Sequence, residues 1–348
     1  MPTPSGSRDT DAALDVLFLP FEAGALAWPR AGGALFLRAR DGWPVHSRAR
    51  DGLVCEQTFK PAFDALQRSG LDVRGTEVEG RFPLVLVLPP RQRDEARALF
   101  ARAVTQAGPD GIVVACMPND EGAKTGQADL ARIGGPVSVQ SKQHCRVFWT
   151  GAARDTDADL LAQWLALDAP RPVVDGRFIS RPGVFAWDRV DPATTLLAHH
   201  LPADLAGEGA DLGAGTGVLA MEVLARCAGV RSLDLYEAES RALDLARTNL
   251  AAHAHVGFHW HDVTQGLPRA YDFIVSNPPF HGQGRGDRPD LGRRFIAAAA
   301  DALRPRGRLY LVANRHLPYE AVLDANFGSV RTLAQQHGFK VVEAVKSR

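Results

Sequence analysis

The chain has 348 residues, a length that suits two domains of ordinary size better than one. Its 40 basic and 40 acidic side chains give a formal net charge of zero, which excludes a uniformly basic surface for nucleic acid and leaves only local patches. The four cysteines form no Cys-x-x-Cys pair, which argues against a zinc ribbon or a disulfide framework and predicts reduced thiols in a cytoplasmic protein. The polar N-terminus lacks the pattern of a secretory signal, and no run of about 18 apolar residues predicts a membrane span.

Strand and helix signals alternate along both halves of the chain. Composition and pattern predict a disordered tail at 1–12, a first domain at 13–170 and a second at 171–348. Strand-like runs of the first domain lie at 34–37, 84–88, 112–115 and 146–149, and those of the second at 209–212, 232–236, 256–261, 272–276, 308–313 and 339–344. The intervening helical patterns make a series of βα units, which predicts α/β domains with mostly parallel, Rossmann-like sheets and right-handed crossovers.

A weak internal repeat links the two halves. The segments Val-Leu-Val-Leu-Pro-Pro at 85–90 and Ile-Val-Ser-Asn-Pro-Pro at 274–279 are both apolar strands that end in Pro-Pro. Each precedes a helix, a turn (at 109–111 and 305–307) and another strand. The first copy has Leu88 where the second has Asn277, and it lacks any Gly-x-Gly-x-Gly. These features favour a duplicated domain whose N-terminal copy has lost its chemistry, which requires the same strand order in both halves. A chance Pro-Pro match is the alternative.

A glycine loop, Asp-Leu-Gly-Ala-Gly-Thr-Gly at 211–217, follows a strand of the second domain and opens a helix. Glycines let the backbone approach a ligand, and the first helical turn offers free N–H groups. A dinucleotide loop would place its third glycine at Val218, and a P-loop would need Gly-Lys-Ser/Thr. The spacing therefore favours S-adenosylmethionine, with Glu237 for the ribose hydroxyls and Asp262 for the adenine amine, over a purely structural turn. The predicted cofactor-binding residues are Asp211, Gly213, Gly215, Gly217, Glu237, Asp262 and Asn277.

A second motif, Asn277-Pro278-Pro279-Phe280, leaves the end of the next strand, where the ligand crevices of open α/β sheets lie. The Asn277 side-chain oxygen and the Pro278 carbonyl can accept hydrogen bonds from a planar exocyclic amine and aim its lone pair at a methyl donor. The prolines stiffen the turn, and Phe280 can stack on a base. These four residues are the predicted catalytic set of a methyltransferase that needs no metal; a strand-terminating turn with a core phenylalanine is the alternative.

Further segments of both domains carry a family resemblance. They are Pro-Gly-Val-Phe-Ala-Trp-Asp-Arg-Val-Asp at 182–191, Ser-Asn-Pro-Pro-Phe-His-Gly at 276–282, Leu-Val-Ala-Asn-Arg-His-Leu-Pro-Tyr at 311–319, Ser-Lys-Gln-His-Cys-Arg-Val-Phe at 141–148 and Asn-Asp-Glu-Gly-Ala-Lys at 119–124. With these segments and the glycine loop, nearly the whole chain resembles the bacterial small-subunit (16S) ribosomal RNA guanine-N2 methyltransferases.

The resemblance implies two tandem Rossmann-like class I methyltransferase domains, of which the N-terminal one is degenerate. It implies transfer of a methyl group from S-adenosylmethionine to the N2 of a guanine in 16S rRNA, with ribosomal RNA or the small subunit as partner and a monomeric enzyme. The loop reads Gly-Ala-Gly where relatives often have Gly-Cys-Gly, a departure with no expected consequence.

Two other groups of residues bear on RNA and metal binding. Four arginines after the catalytic motif are candidates for RNA phosphates, with a polar surface loop as the alternative: Arg285, Arg288, Arg293 and Arg294. The histidines at 253, 255, 259 and 261 have no carboxylate or cysteine at metal spacing, so no metal site is predicted.

Other functions remain open at this level. A 23S rRNA guanine-N2, a DNA adenine-N6 or a protein glutamine methyltransferase can share the Asn-Pro-Pro-aromatic motif. A non-catalytic RNA-binding assembly protein with a methyltransferase fold is the alternative from another class.

Overall fold

The computed structural model describes residues 11–47, 50–152, 156–279 and 289–348. The chain divides into two compact units, Met1–Ala169 and Pro170–Arg348. Residues 1–10, most of the predicted tail, lie outside the described part. The first helix begins at Ala12, where the Asp11 carboxylate accepts the Leu14 N–H at 3.1 Å and so caps it. No helix among the described residues is both long and apolar enough to span a membrane.

The first unit contains a seven-stranded sheet flanked by helices. Its strands are β1 (Ala34–Leu37), β2 (Leu53–Glu56), β3 (Asp72–Arg74), β4 (Leu84–Val87), β5 (Ile112–Pro118), β6 (Val137–Lys142) and β7 (Cys145–Thr150). Its helices are α1 (Ala12–Leu17), α2 (Leu19–Glu22), α3 (Trp43–His46), α4 (Lys60–Arg68), α5 (Arg93–Ala107), α6 (Ala123–Gly134) and α7 (Ala158–Ala166). The strand order is β3-β2-β1-β4-β5-β7-β6, with the first five parallel and β7 antiparallel to both of its neighbours. Strands β1 and β4 are buried along their whole length, as expected for a sheet covered on both faces.

The second unit contains a second seven-stranded sheet and a two-stranded hairpin. Its strands are β8 (Arg171–Val173), β9 (Phe178–Ser180), β10 (Ala206–Leu212), β11 (Gly229–Glu237), β12 (Val256–Trp260), β13 (Tyr271–Ser276), β14 (Leu303–Asn314), β15 (Ser329–Gln336) and β16 (Phe339–Val345). Its helices are α8 (Pro192–His200), α9 (Val218–Arg226), α10 (Ser240–Asn249), α11 (Pro289–Ala302) and α12 (Glu320–Asn326). Strands β8 and β9 pair with each other, and the large sheet runs β12-β11-β10-β13-β14-β16-β15.

The two large sheets have one topology. Numbered within each sheet, both run 3-2-1-4-5-7-6, and both reverse direction only at the seventh strand. The registers also correspond, because Leu37 pairs with Val87 as Leu212 pairs with Ser276. Leu88 and Asn277 therefore occupy equivalent positions, one residue beyond the paired strand ends. The predicted tandem Rossmann-like fold is confirmed, and the shared strand order agrees with a duplication.

The structure differs from the sequence-based expectation in two segments and in four strands that were not expected. The segment 169–172, at the predicted boundary between the domains, enters strand β8, which pairs with β9. The turn predicted at 305–307 lies inside β14, where pairing with β13 jumps from Leu303 to Arg308. The largely buried strand β2 and the more exposed strands β3, β6 and β15 were not predicted, because their apolar patterns are short or interrupted by polar residues.

Candidate active site

A pocket opens where the parallel strands β10 and β13 of the second unit end. The glycine loop follows β10, and the Asn-Pro-Pro motif follows β13, so the topology brings them together at the crevice of an open α/β sheet. Ser276, at the end of β13, donates from Oγ to the Leu212 carbonyl at 2.7 Å and fastens the two strand ends. The pocket is lined by Phe185, Ala186, Arg189, Asp191, Thr194, Asp211, Gly213, Ala214, Gly215, Thr216, Val218, Leu219 and Asn277.

The glycine loop holds a left-handed backbone at each of its three glycines, with φ of 72°, 55° and 86° at Gly213, Gly215 and Gly217. The loop is fixed to the sheet because the N–H groups of Gly213 and Ala214 donate to the Tyr236 carbonyl at 2.9 and 3.1 Å. A Cβ on Gly215 would project into open space, so this residue leaves room for a ligand. A Cβ on Gly217 would lie 2.9 Å from Leu250, so this residue lets the loop pack on helix α10.

Asp211 brings a buried carboxyl group to the pocket. Its side chain is 1% exposed, and its Oδ2 has no hydrogen-bond partner among the described residues. Burial, with the nearby Glu237 carboxylate as a second cause, raises the pKa of Asp211 to about 8. A buried carboxyl group with an unused oxygen facing a pocket suits a ligand that carries a cationic donor.

Glu237 ends strand β11, next to the glycine loop. Its Oε2 accepts the Gly215 N–H at 2.7 Å, and its Oε1 accepts the Glu239 N–H at 2.8 Å. Burial raises the pKa of this carboxyl group above its ordinary value. The two backbone bonds orient both oxygens and leave each oxygen a lone pair for a hydroxyl donor.

Asp262 follows β12, one strand further from the pocket centre, and caps a short 3-10 helix. Its Oδ1 accepts the Thr264 N–H at 2.9 Å and the Thr264 hydroxyl at 2.6 Å. Its Oδ2 accepts the Gln265 amide at 3.2 Å. Of the predicted cofactor residues, Asp262 is therefore the one most occupied by local contacts.

Asn277 points its amide nitrogen toward helix α8. Its Nδ2 donates to the Asp191 Oδ2 at 3.0 Å and to the Thr194 Oγ1 at 2.9 Å. Asp191 is the N-cap of α8, and the same Oδ2 accepts the Thr194 N–H at 2.9 Å. Both amide donors of Asn277 are thus used, and its oxygen remains as the group available to a ligand. Pro278 is buried and Pro279 is exposed.

Sequence reasoning gave no site role to the segment between β9 and α8, which lines one side of the pocket. Phe185 lies there with 67% of its surface exposed, and Arg189 contributes a side chain that is 67% exposed and pairs with Asp188 at 2.8 Å. The segment is anchored because Asn249 bonds to both backbone groups of Ile179 and to the Thr216 carbonyl, and Arg241 donates to the Pro182 carbonyl. The Asp-Pro pair at 191–192 signals a helix start, but no local pattern indicates that Asp191 meets a residue 86 positions away.

The equivalent strand ends of the first unit carry different side chains. Gln57 stands in the place of Glu237; its Oε1 accepts the Phe59 N–H at 2.9 Å, while its amide donates to the Ala39 carbonyl at 2.7 Å. Leu88, in the place of Asn277, is 1% exposed. Arg38, in the place of Gly213, has a φ of 55° and pairs with Glu95 at 2.8 Å. This unit keeps the left-handed turn of the glycine loop but has other side chains at the positions of Gly213, Glu237 and Asn277, which agrees with its predicted degeneracy.

The predicted RNA-contacting arginines fall into two groups. Phe280 of the catalytic motif, Arg285 and Arg288 lie outside the described residues. Arg293 pairs with Asp290 at 2.8 Å on the surface of α11, and Arg294 donates to the Thr264 Oγ1 at 2.8 Å. No group of three or more His, Cys, Asp or Glu side chains in the described part of the chain could hold a metal ion.

Comparison with known families identifies the class of the second unit. The model of the methyltransferase small domain family matches residues 175–343, which contain the glycine loop and the Asn-Pro-Pro motif. The fold and the site thus define a methyltransferase of this small-domain class.

Full-length relatives narrow the class. The chain is 34% identical over 314 residues to the Ribosomal RNA small subunit methyltransferase C of Ectopseudomonas mendocina, covering 87% of this chain and 88% of the relative. It is 34% identical over 281 residues to the protein of the same name from Pseudomonas paraeruginosa, covering 80% and 82%. The chain belongs to the ribosomal RNA small subunit methyltransferase C family.

A solved structure has the same two-unit fold. The T. thermophilus 16S rRNA N2 G1207 methyltransferase (RsmC), in complex with AdoMet and guanosine, superposes with a TM-score of 0.78 over 100% of this chain and 97% of that chain, at 24% identity.

Proposed function

We propose that this protein transfers a methyl group from S-adenosylmethionine to the exocyclic N2 of a guanine in 16S rRNA, and that the second unit carries the reaction. The observation that carries the proposal is the amide of Asn277, whose nitrogen is held at 3.0 and 2.9 Å by Asp191 and Thr194 so that its oxygen is left to accept from an amine. The shared name of the full-length relatives supports the small-subunit rRNA as the substrate.

The glycine pocket suits the proposed cofactor. Asp211 offers an unused buried oxygen to the ammonium group, Glu237 offers two oriented oxygens to the ribose hydroxyls, and Gly215 leaves the necessary space. When bound, S-adenosylmethionine would supply an electrophilic methyl group on a sulfonium. The sulfur would keep the electron pair of the broken carbon–sulfur bond, and the amine would lose its proton to solvent. Asp262 would reach the adenine through the lone pairs that its capping bonds leave free.

The guanine would lie against the Asn-Pro-Pro motif. The Asn277 oxygen and the Pro278 carbonyl would accept the two N2 hydrogens, which aligns the nitrogen and stabilises the positive charge that develops on it. Phe185 offers an exposed aromatic face at the same pocket, and Phe280 is a second candidate for stacking. Arg293 and Arg294, with Arg285 and Arg288, remain candidates for phosphate contacts.

The proposed location and partner follow from this substrate. We place the reaction in the cytoplasm, on ribosomal RNA or the assembling small subunit. We propose a monomer as the active form, because one chain already supplies both units.

Nucleoside analysis of ribosomal RNA from a deletion strain tests the function. We expect one N2-methylguanosine of 16S rRNA to disappear, to return with the wild-type gene and to stay absent with an Asn277→Ala gene. Loss of a 23S rRNA methylguanosine instead would transfer the assignment to the large subunit, and an unchanged rRNA profile would reject rRNA methylation.

A further inference from the structure

The carboxylate of Asp191 fixes which way the Asn277 amide faces. A carboxylate only accepts hydrogen bonds, so the amide group 3.0 Å from the Asp191 Oδ2 must be the nitrogen and not the oxygen. The Thr194 hydroxyl takes the second amide hydrogen at 2.9 Å. Rotating the amide by half a turn would bring its oxygen against the carboxylate, so the opposite orientation is excluded.

Asp191 is itself held rigidly. Its Oδ2 accepts the Thr194 N–H at 2.9 Å as the N-cap of α8, and Pro192 at the first helical position fixes the backbone beside it. The amino end of a helix favours a negative charge, so the cap keeps an anion beside the reacting group. The one oxygen that caps the helix also receives the Asn277 amide, which links the start of α8 to the end of β13.

We propose that Asp191 and Thr194 are positioning residues for the methyl transfer, and that the charge of Asp191 strengthens the Asn277 oxygen as an acceptor. This inference rests on the proposed function. A negative charge on the nitrogen side of an amide moves electron density toward its oxygen, as in other chains of hydrogen bonds. The effect grows as the amine nitrogen becomes positive, so it lowers the barrier more than it tightens substrate binding.

The substitution Asp191→Asn tests the charge without removing the cap. Asparagine is as good an N-cap as aspartate, so helix α8 should be retained. We expect kcat to fall about tenfold, the effect of removing one charge-assisted hydrogen bond of about 1.4 kcal/mol. The dissociation constant of S-adenosylmethionine and the KM for RNA should change less than about threefold.

Asp157→Asn is the matched control. Asp157 caps α7 in the first unit with the same geometry, accepting the Leu160 N–H at 2.9 Å, and it belongs to the unit that does not contain Asn277. This variant should keep the wild-type kcat. Thr194→Val should lower kcat as Asp191→Asn does, and Thr194→Ser, which keeps the hydroxyl, should recover most of the rate lost in the valine variant.

A double-mutant cycle separates positioning from a structural role. If Asp191 acts through Asn277, then Asp191→Asn should have almost no further effect on the residual single-turnover rate of Asn277→Ala. A full tenfold loss in that background, or a wild-type kcat in Asp191→Asn alone, would overturn the inference. A wild-type protein that does not methylate rRNA would instead reject the proposed function.

Discussion

The carboxylate of Glu237 accepts the backbone N–H of Gly215 at 2.7 Å, and this bond ties the end of strand β11 to the middle of the glycine loop. The other oxygen accepts the Glu239 N–H at 2.8 Å, so each oxygen faces a backbone donor. The carboxylate therefore sets the shape of the loop and presents acceptors beside it.

Replacing Glu237 by glutamine should weaken cofactor binding at least about tenfold, because the amide nitrogen would face one of the two backbone donors. Isothermal titration with S-adenosylmethionine measures the effect. Glu222→Gln, on helix α9 and in surface ion pairs with Arg177 and Arg226, is the control and should bind normally. Wild-type affinity in Glu237→Gln would exclude Glu237 from the cofactor site.

The protonation of Asp211 should make the stability of the ligand-free protein depend on pH. Its pKa is about 8 in the folded protein, raised by burial from an ordinary value of 3.8. Between these values the folded state holds a proton that the unfolded state releases, so stability falls as pH rises through this window, by at most about 1.4 kcal/mol per pH unit. Urea unfolding at pH 5 and pH 7.5 should show a smaller pH slope for Asp211→Asn than for wild type. Equal slopes would contradict the raised pKa.

Removing the Asn277 amide should greatly lower the rate of methyl transfer and leave the binding of S-adenosylmethionine nearly unchanged. We expect Asn277→Ala to lower kcat by about 10²–10³-fold, the range for loss of one preorganised group at the reacting centre. The dissociation constant of S-adenosylmethionine should stay within a few-fold of wild type, because no predicted cofactor contact other than Asn277 itself is changed. A fully active Asn277→Ala enzyme would remove this residue from the mechanism.

The exposed ring of Phe185 should contribute to RNA binding. Stacking on a base is worth about 1–3 kcal/mol, so Phe185→Ala should raise the KM for RNA about tenfold or more. Phe185→Tyr keeps the ring and should keep most of this affinity. Leu165→Ala removes a 42% exposed apolar side chain of the first unit and serves as the control. If Phe185→Ala instead weakens the binding of S-adenosylmethionine and leaves the KM for RNA unchanged, the ring faces the cofactor.

Restoring the asparagine of the motif in the first unit should not restore a site. Leu88 is 1% exposed, so Leu88→Asn buries an amide and should lower the free energy of unfolding by about 2–4 kcal/mol. Titration should still give one S-adenosylmethionine per chain, because Gln57 and Arg38 remain. Leu88→Met, of similar volume, should cost less than about 1.5 kcal/mol. A second bound cofactor in Leu88→Asn would show that the first crevice is open.

Much of the second unit follows from local patterns. Apolar runs such as 272–276 predict buried strands, and the order of strand, glycine loop and helix fixes where the loop lies in an open sheet. The equivalence of Leu88 and Asn277 also follows from sequence, since both residues precede Pro-Pro. The registers of the two sheets place them at equivalent positions.

Contacts between segments that are distant in sequence could not be predicted from local patterns. The bonds of Asn277 to Asp191 and Thr194 join residues 86 and 83 positions apart, and they depend on how α8 packs beside the sheet. The equivalence of Gln57 to Glu237 could not be predicted either, because it is recognised only when β2 is aligned with β11. Strand β15 was missed because its mixed polar and apolar residues lie at an edge where one face is exposed.

The backbone of Arg38 has the left-handed conformation of a glycine loop although the residue is not a glycine. At a φ of 55°, it makes the left-handed turn that Gly213 makes in the second unit, and for a residue with a side chain this turn costs on the order of 1–2 kcal/mol. The pairing with Glu95 and the surrounding sheet hold it there. In a duplicated chain the side chains that recognise a ligand can diverge one at a time, whereas the path of the backbone is shared by every strand that packs on it. Under the duplication hypothesis, the left-handed turn at Arg38 is a backbone feature of the ancestral loop that remained while the residue at that position changed.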